Sequence, residues 1–349
     1  MSVTIAEAPK TNIITLQNGR VVNFKSNTPN KIETLPIIDI SRMYSPNLDD
    51  RKAVAEEVRK AAHEIGFFYV INHGIDSKYT EATFEAAKKF FDLPMEEKVK
   101  VHTDLVPNEF LGYHPCESYA RNNRKLKDLS EAFNWGYDPK YDPEASDPNE
   151  KSKNIWPDES AAPGFKDTLF DHHTQMLTFA RKLARTFALA LHLEENAFDQ
   201  YTRRPEAGMR ILHYPNQVAS PEDQDGIGAH TDFECFTIVT QDNSGGLQVL
   251  SKDGDWIQAR PIEGAFVVNI ADCFMRQTND FFVSTVHRVV NKSGAERYSA
   301  PFFFGFDRTK VLEAIPTCVS EENPMKYPIM TAGEYYTFRA NTAKKMKSY

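Results

Sequence analysis

Four cysteines in 349 residues, Cys116, Cys235, Cys273 and Cys318, are few and far apart, and none forms a CxxC pair. That spacing excludes a disulfide framework and a structural zinc ribbon, and the thiols read as core or pocket residues. There is no long basic run, and 41 Lys and Arg against 49 Asp and Glu leave a formal charge of −8. A counterion-releasing grip on a phosphate backbone is therefore not expected, and nucleic acid is excluded as a partner. No stretch of about 18 apolar residues occurs, and the opening MSVTIAEAPKTNIITLQNGR lacks a continuous apolar core. Neither a membrane span nor secretion is expected, which makes the cytoplasm the expected location. Repeats and low-complexity tracts are also lacking.

What remains is 41% apolar content, enough for a sizeable core. A polar leader is expected over 1–34. In the region 35–205, LPIIDIS (35–41) and FFYVINHG (67–74) read as short strands, because β-branched and aromatic residues cluster between turn residues. Between them, Val54, Val58, Ala61, Ala62 and Ile65 recur at helical spacing, with Gly66 as a left-handed cap. Residues 77–92 and 164–193 have the same helical period. Residues 101–162 are rich in Asn, Asp, Pro and Gly with interspersed aromatics, and read as an irregular insert that covers a substrate.

From Met209 the apolar period shifts to two through MRILHYP, FTIVTQD, GLQVL, WIQA, AFVVNI, STVHRVV and RYSAPFFFGF. Asp253-Gly254 supplies a turn between two of these runs. Closely spaced strands over 206–310 predict a β-sandwich or barrel-like core, followed by a helical extension over 311–349 capped at Thr331. The expected fold class is α+β with a mainly β core, and the whole chain reads as one structural unit.

The motif GIGAHTDF places His230 and Asp232 two residues apart. On a strand, residues i and i+2 share a face, so both can approach one metal ion. Alone, the pair is also compatible with two polar residues that happen to fall close together. His287 in STVHRVV lies in the same β-rich block, and two imidazoles with one carboxylate leave coordination positions open, as in non-haem Fe(II) oxygenases. Ten residues on, Arg297 and Ser299 share a face; an arginine fork and a hydroxyl suit a carboxylate, and although a surface salt bridge is the alternative for Arg297, the apolar PFFFGF run that follows favours an inward-facing arginine with a bound anion.

With LPIIDIS, GFFYVINHGI, LHYP, GIGAHTDF, TIVTQD, GGLQV, VVNIADCF, STVHRVV and RYSAPFFF, the chain resembles the Fe(II)/2-oxoglutarate-dependent dioxygenase superfamily along nearly its whole length. The likeness is to its isopenicillin N synthase-like group, with plant flavonoid dioxygenases and fungal thymine hydroxylase-like enzymes of specialised metabolism or salvage. The resemblance implies a distorted double-stranded β-helix, or jelly roll, flanked by helices. It implies Fe(II) held by His230, Asp232 and His287, with 2-oxoglutarate bound by Arg297, Ser299 and Tyr214. One departure is Leu212, where many relatives carry Asn two residues before that tyrosine. The implied reaction oxidises a C–H bond of a small molecule with O2, releasing succinate and CO2, with ascorbate in support. Hydroxylation is the default, and desaturation or ring rearrangement are open. An oxidase on this scaffold without 2-oxoglutarate and an inactive ligand-binding protein are the competing readings.

Strand parity adds Arg210 and Phe303 as candidate pocket residues, with a buried structural ion pair the alternative for Arg210, and the insert adds Phe110, Tyr113, Asn134 and Trp135, whose alternative is to anchor the loop.

Overall fold

Asn47 begins the first long helix by accepting a hydrogen bond from the Asp49 N–H. The structure is a computed structural model and describes residues 12–16, 20–24, 34–107, 109–118, 126–217 and 224–345. Its helices are α1 (Leu48–Glu64), α2 (Ser77–Phe91), α3 (Met95–Lys98), α4 (Phe165–Ala190), α5 (Asp272–Gln277) and α6 (Ala332–Lys345). Its strands are β1 (Asn12–Thr15), β2 (Val21–Phe24), β3 (Ile37–Asp39), β4 (Phe67–Ile71), β5 (Gly112–His114), β6 (Glu131–Trp135), β7 (Glu206–Tyr214) and β8 (Ile227–His230). They continue with β9 (Phe236–Gln241), β10 (Leu247–Leu250), β11 (Trp256–Gln258), β12 (Phe266–Ile270), β13 (His287–Val289) and β14 (Arg297–Gly305), then the short pair β15 (Val311–Leu312) and β16 (Met330–Thr331).

Helix α1 ends where Gly66 takes φ +74°, the left-handed cap expected there. A Cβ at Gly66 would lie 1.9 Å from the Val283 carbonyl oxygen, so the turn into β4 needs glycine for space as well as for backbone conformation.

Two sheets face each other. The larger runs β3-β4-β12-β9-β14-β7-β6-β5 and the smaller β11-β10-β13-β8; apart from the parallel pair β3-β4, the pairings are antiparallel. This is the sandwich that the strand pattern predicts, in the jelly-roll form that the family resemblance implies. Alternation sorts the larger sheet's side chains. Tyr298, Ala300, Phe302 and Phe304 of β14, with Ala207 and Ile211 of β7, join the core against α1, α2 and α4. Arg297, Ser299, Pro301 and Phe303, with Gly208, Arg210, Leu212 and Tyr214, face a cavity toward the smaller sheet. The helix-side core is aromatic and deep: Phe170, Phe187, Phe133 and Phe90 are almost wholly buried, and each such side chain stabilises by about 1.5–3 kcal/mol.

Proline in a central strand removes a ladder donor. Accordingly the β14-β7 register runs from Ser299↔Leu212 to Phe302↔Met209 and skips Ala300 and Pro301, leaving the ladder open beside Arg210.

Several expectations need correction. The 101–162 insert is not wholly irregular: β5 and β6 lie within it and complete the edge of the larger sheet, because β6 pairs with β7 from Glu131↔His213 to Trp135↔Met209. The division at 205/206 does not separate sheets either, since β3 to β6 hydrogen-bond into the same sheet as β7, β9, β12 and β14. The leader is not simply polar: β1 and β2 form a hairpin, and Ile14 and Leu16 bury against Trp256, Leu250 and Val286. The remaining leader residues, 1–11, 17–19 and 25–33, lie outside the described residues, as do the last four of the tail. The Asp253-Gly254 turn is a five-residue connection from Ser251 to Asp255, closed by Ser251 N–H to the Asp255 carbonyl at 2.8 Å. The 311–349 extension includes β15 and β16 as well as α6, and Thr331 and Glu334 form the reciprocal capping box at the start of that helix. No helix among the described residues is long and apolar enough to cross a membrane.

Candidate active site

His230 ends β8 and His287 begins β13, and the two are direct cross-strand partners, with ring centroids 4.3 Å apart. Asp232 lies beyond the end of β8. Strand alternation therefore does not place its carboxylate, contrary to the simple i, i+2 expectation. The Thr237 hydroxyl on β9 and the Asn269 amide on β12 place it instead, donating to Oδ2 at 2.6 and 2.8 Å.

That leaves Oδ1, which stands 3.7 Å from Nε2 of His230 and 3.7 Å from Nε2 of His287. These separations are too wide for hydrogen bonds, but they suit donors that each lie about 2.0–2.2 Å from a shared ion. Both imidazoles are held in the required tautomer: Nδ1 of His230 meets the Gly228 carbonyl at 2.9 Å and Nδ1 of His287 the Thr285 carbonyl at 3.2 Å. Donation from Nδ1–H makes Nε2 the lone-pair nitrogen of each ring. All three ligand atoms lie within 4.8 Å of one another, so the residues fit a divalent metal with two nitrogen donors and one oxygen donor. Removing the support from Oδ2 by Asn269→Ala should weaken Fe(II) binding about tenfold without unfolding the chain. Anaerobic Fe(II) titration of the purified protein measures this, and unchanged affinity would mean that Asn269 does not orient the carboxylate.

Arg297 opens β14 opposite Tyr214 and is only 1% exposed. Its guanidinium lies 4.6 Å above the Tyr214 ring and donates to the Gly245 carbonyl, the Ser299 hydroxyl and the Gln241 side-chain oxygen. Ser299 Oγ in turn reaches the Tyr214 hydroxyl at 3.5 Å. Among the described residues no carboxylate pairs with Arg297, so a buried cation stands with neutral partners only. Burial of that kind is unfavourable unless an anion joins it.

His230, Asp232 and His287 line one cavity of about 600 Å³ together with Arg297, within the usual range for small-molecule sites. Arg210, Phe303, Phe110, Asn134 and Leu212 line it too. Asn134 and Arg210 are register partners on β6 and β7, and the Asn134 Oδ1 is buried without a hydrogen-bond partner among the described residues. Trp135 borders the cavity, but its ring packs with Phe133 and Trp156. Tyr113 is a correction: it is buried in the core, donating to Glu131 at 2.6 Å, and takes no part in the cavity wall. Burial holds His172 and His173 on α4 neutral, with pKa values lowered to about 3 and about 4.

Sequence reasoning missed Thr237 and Asn269, which hold Asp232, and Gln241 and Gly245, which hold Arg297. It also missed the wall that α6 supplies through Tyr336, Thr337, Ala340 and Asn341, and the charged rim where Arg308 forks onto Glu206. The signal lay in the motifs that carry the resemblance: Thr237 and Gln241 fall in TIVTQD, Gly245 in GGLQV and Asn269 in VVNIADCF.

This architecture has counterparts. Residues 35–159 match the N-terminal domain family of non-haem dioxygenases in morphine synthesis, and 205–306 match the 2OG-Fe(II) oxygenase superfamily. The chain is 40% identical to the 2-oxoglutarate-Fe(II) type oxidoreductase ppzC of Metarhizium majus, over 93% of this chain and 92% of that protein. It is 36% identical to the 2-oxoglutarate-Fe(II) type oxidoreductase hxnY of Emericella nidulans, over 85% and 86% respectively. Among solved structures, a full-length Neurospora crassa protein in complex with alpha-KG and thymine superposes with a TM-score of 0.79 at 29% identity, covering 91% of this chain and 99% of that one. Sequence along nearly the full length, the two-sheet fold and a two-histidine, one-carboxylate cluster agree: the chain belongs to the 2OG-Fe(II) oxygenase superfamily, as an oxidoreductase that works with Fe(II) and 2-oxoglutarate.

Proposed function

We propose that the protein oxidises a C–H bond of a small organic molecule, by hydroxylation as the default outcome, with His230, Asp232 and His287 holding the iron and Arg297, Ser299 and Tyr214 holding 2-oxoglutarate. The observation that carries this reading is the pairing, within one cavity, of three potential metal-donor atoms with a buried arginine whose partners among the described residues are neutral. Bound iron, with the keto acid and O2, supplies the oxidising power, and the keto acid leaves as succinate and CO2.

The chain's own part is binding, orientation and exclusion of water. The Arg297 fork, fixed by Gly245 and Gln241, presents N–H donors to the distal carboxylate, and the Ser299 hydroxyl adds another. The Tyr214 ring beneath the guanidinium keeps its plane from turning. Leu212, Phe303 and the inner side of α6 wall the space against bulk water.

Beyond the keto-acid pocket, Arg210 offers N–H donors and the Asn134 Oδ1 an acceptor on adjacent strands, with the Phe303 ring nearby. That set suits a compact substrate with a carbonyl or carboxylate beside an N–H or O–H and a flat apolar face. Thymine, bound in the Neurospora crassa structure, is a molecule of this kind on the same fold.

The test reconstitutes the protein with Fe(II), 2-oxoglutarate, ascorbate and O2 and screens carbonyl-bearing heterocycles and small carboxylates for succinate release. Succinate formed in step with an oxidised product supports the proposal. Substrate oxidation without keto-acid consumption would favour the isopenicillin N synthase-like oxidase, and ligand binding without any turnover the inactive scaffold.

A further inference from the structure

The C-terminal helix is tied to the metal loop by a buried ionic contact that the reaction chemistry does not use. Arg339 of α6 is 1% exposed and Asp272, at the start of α5, is 3% exposed. Arg339 Nη1 donates to Asp272 Oδ2 and lies 2.9 Å from the Tyr335 hydroxyl. The same Oδ2 accepts from the Thr231 hydroxyl at 3.0 Å. The Asp272 N–H donates to the Asp232 carbonyl, also at 3.0 Å, and the Arg339 guanidinium lies 4.5 Å above the Phe233 ring. Residues 231, 232 and 233 are thus each held by this pair, and 232 carries the carboxylate of the metal cluster.

As a device for stability the contact is poor. Arg339 Nε and Nη2 are buried without a hydrogen-bond partner among the described residues, and a buried ion pair with unmet donors is often less favourable than an apolar replacement. What the pair does achieve is geometric. Asp232 lies beyond the end of β8 and its ladder, and Asp272 supplies a backbone anchor for it while Arg339 fixes Asp272.

We propose that Arg339 is a positioning residue: through Asp272 it locks α6 onto the 231–233 loop, so that the iron site takes its full affinity only when the C-terminal helix is docked. Because α6 also walls the cavity through Tyr336 and Asn341, a substrate that presses on this helix acts on the metal site through the same contact. The inference rests on the reading that His230, Asp232 and His287 hold iron.

The experiment titrates the metal-free full-length protein with Fe(II) anaerobically and follows hydrogen exchange of 229–234 and α6. Arg339→Met should weaken Fe(II) binding about 10- to 100-fold and speed exchange in both segments together, with Arg339→Lys recovering part of the affinity. Thr231→Val leaves the ion pair and α6 in place, cuts the loop's side-chain tie, and should weaken binding about tenfold; it decides the question alone if Arg339→Met does not fold. Parent-like Fe(II) affinity in a folded Arg339→Met protein whose α6 exchanges faster, or in Thr231→Val, would overturn the proposal. Asp232→Ala serves as the control: if it too binds Fe(II) like the parent, the metal-site reading fails, and not the role of Arg339 alone.

Discussion

Asp232→Ala is expected to abolish succinate formation and to lower Fe(II) affinity more than about a hundredfold, beyond the 10- to 100-fold loss typical when only a supporting partner of a ligand is removed. The fold should survive. The carboxylate is enclosed, but its partners Thr237 and Asn269 sit on β9 and β12, strands paired over long registers with β14 and β4 that do not depend on it. His287→Ala should behave similarly, since its Nδ1 makes only a single bond to the Thr285 carbonyl. Circular dichroism and metal content, measured beside turnover, separate the outcomes. A variant that keeps its iron and its activity would remove Asp232 from the site, and one that unfolds would make the cluster a structural element.

Arg297→Met should raise the 2-oxoglutarate concentration needed for half-maximal turnover by roughly 30-fold or more, because removing one partner of a buried, hydrogen-bonded charge pair costs about 2–5 kcal/mol. Its effect on the ligand-free protein should run the other way. There the guanidinium is buried against the Gly245 carbonyl, Gln241 and Ser299 with no carboxylate among the described residues, so an apolar side chain of similar length should leave Tm unchanged or raise it. The parent gains Tm when 2-oxoglutarate is added and the variant should not, because only a ligand that binds the native state shifts unfolding. Scanning calorimetry with and without the keto acid measures both effects. An unchanged KM for 2-oxoglutarate would exclude Arg297 as the clamp.

Much of the fold was legible locally. The helical spacing before Gly66 and the alternation through RYSAPFFF are properties of neighbouring residues, and the physics that sets them acts over a few positions. Parity alone assigned Arg297, Ser299 and Phe303 to one face of β14 and Phe302 and Phe304 to the other. The insert resisted the same reading because β5 and β6 are short, three and five residues, and become strands only when β7 offers a ladder. Tyr113 was misplaced for a related reason: an aromatic residue in a polar segment does not declare which face of an edge strand it occupies until the register with Phe133 is known.

Residue types and local spacing carry the chemical reading: two histidines and an aspartate able to hold a metal, an arginine and a hydroxyl suited to a carboxylate, and the period-two core that bears them. Only the tertiary structure decided how those groups are aimed. It set the His230↔His287 register, the hold of Thr237 and Asn269 on Asp232, the burial of Arg297 with no carboxylate partner among the described residues and the closure of the cavity by α6. Apart from the Thr237–Asp232 bond, which spans five residues, these depend on hydrogen bonds and burial between segments tens of residues apart, and such pairings follow from packing of the whole chain, beyond the reach of local spacing.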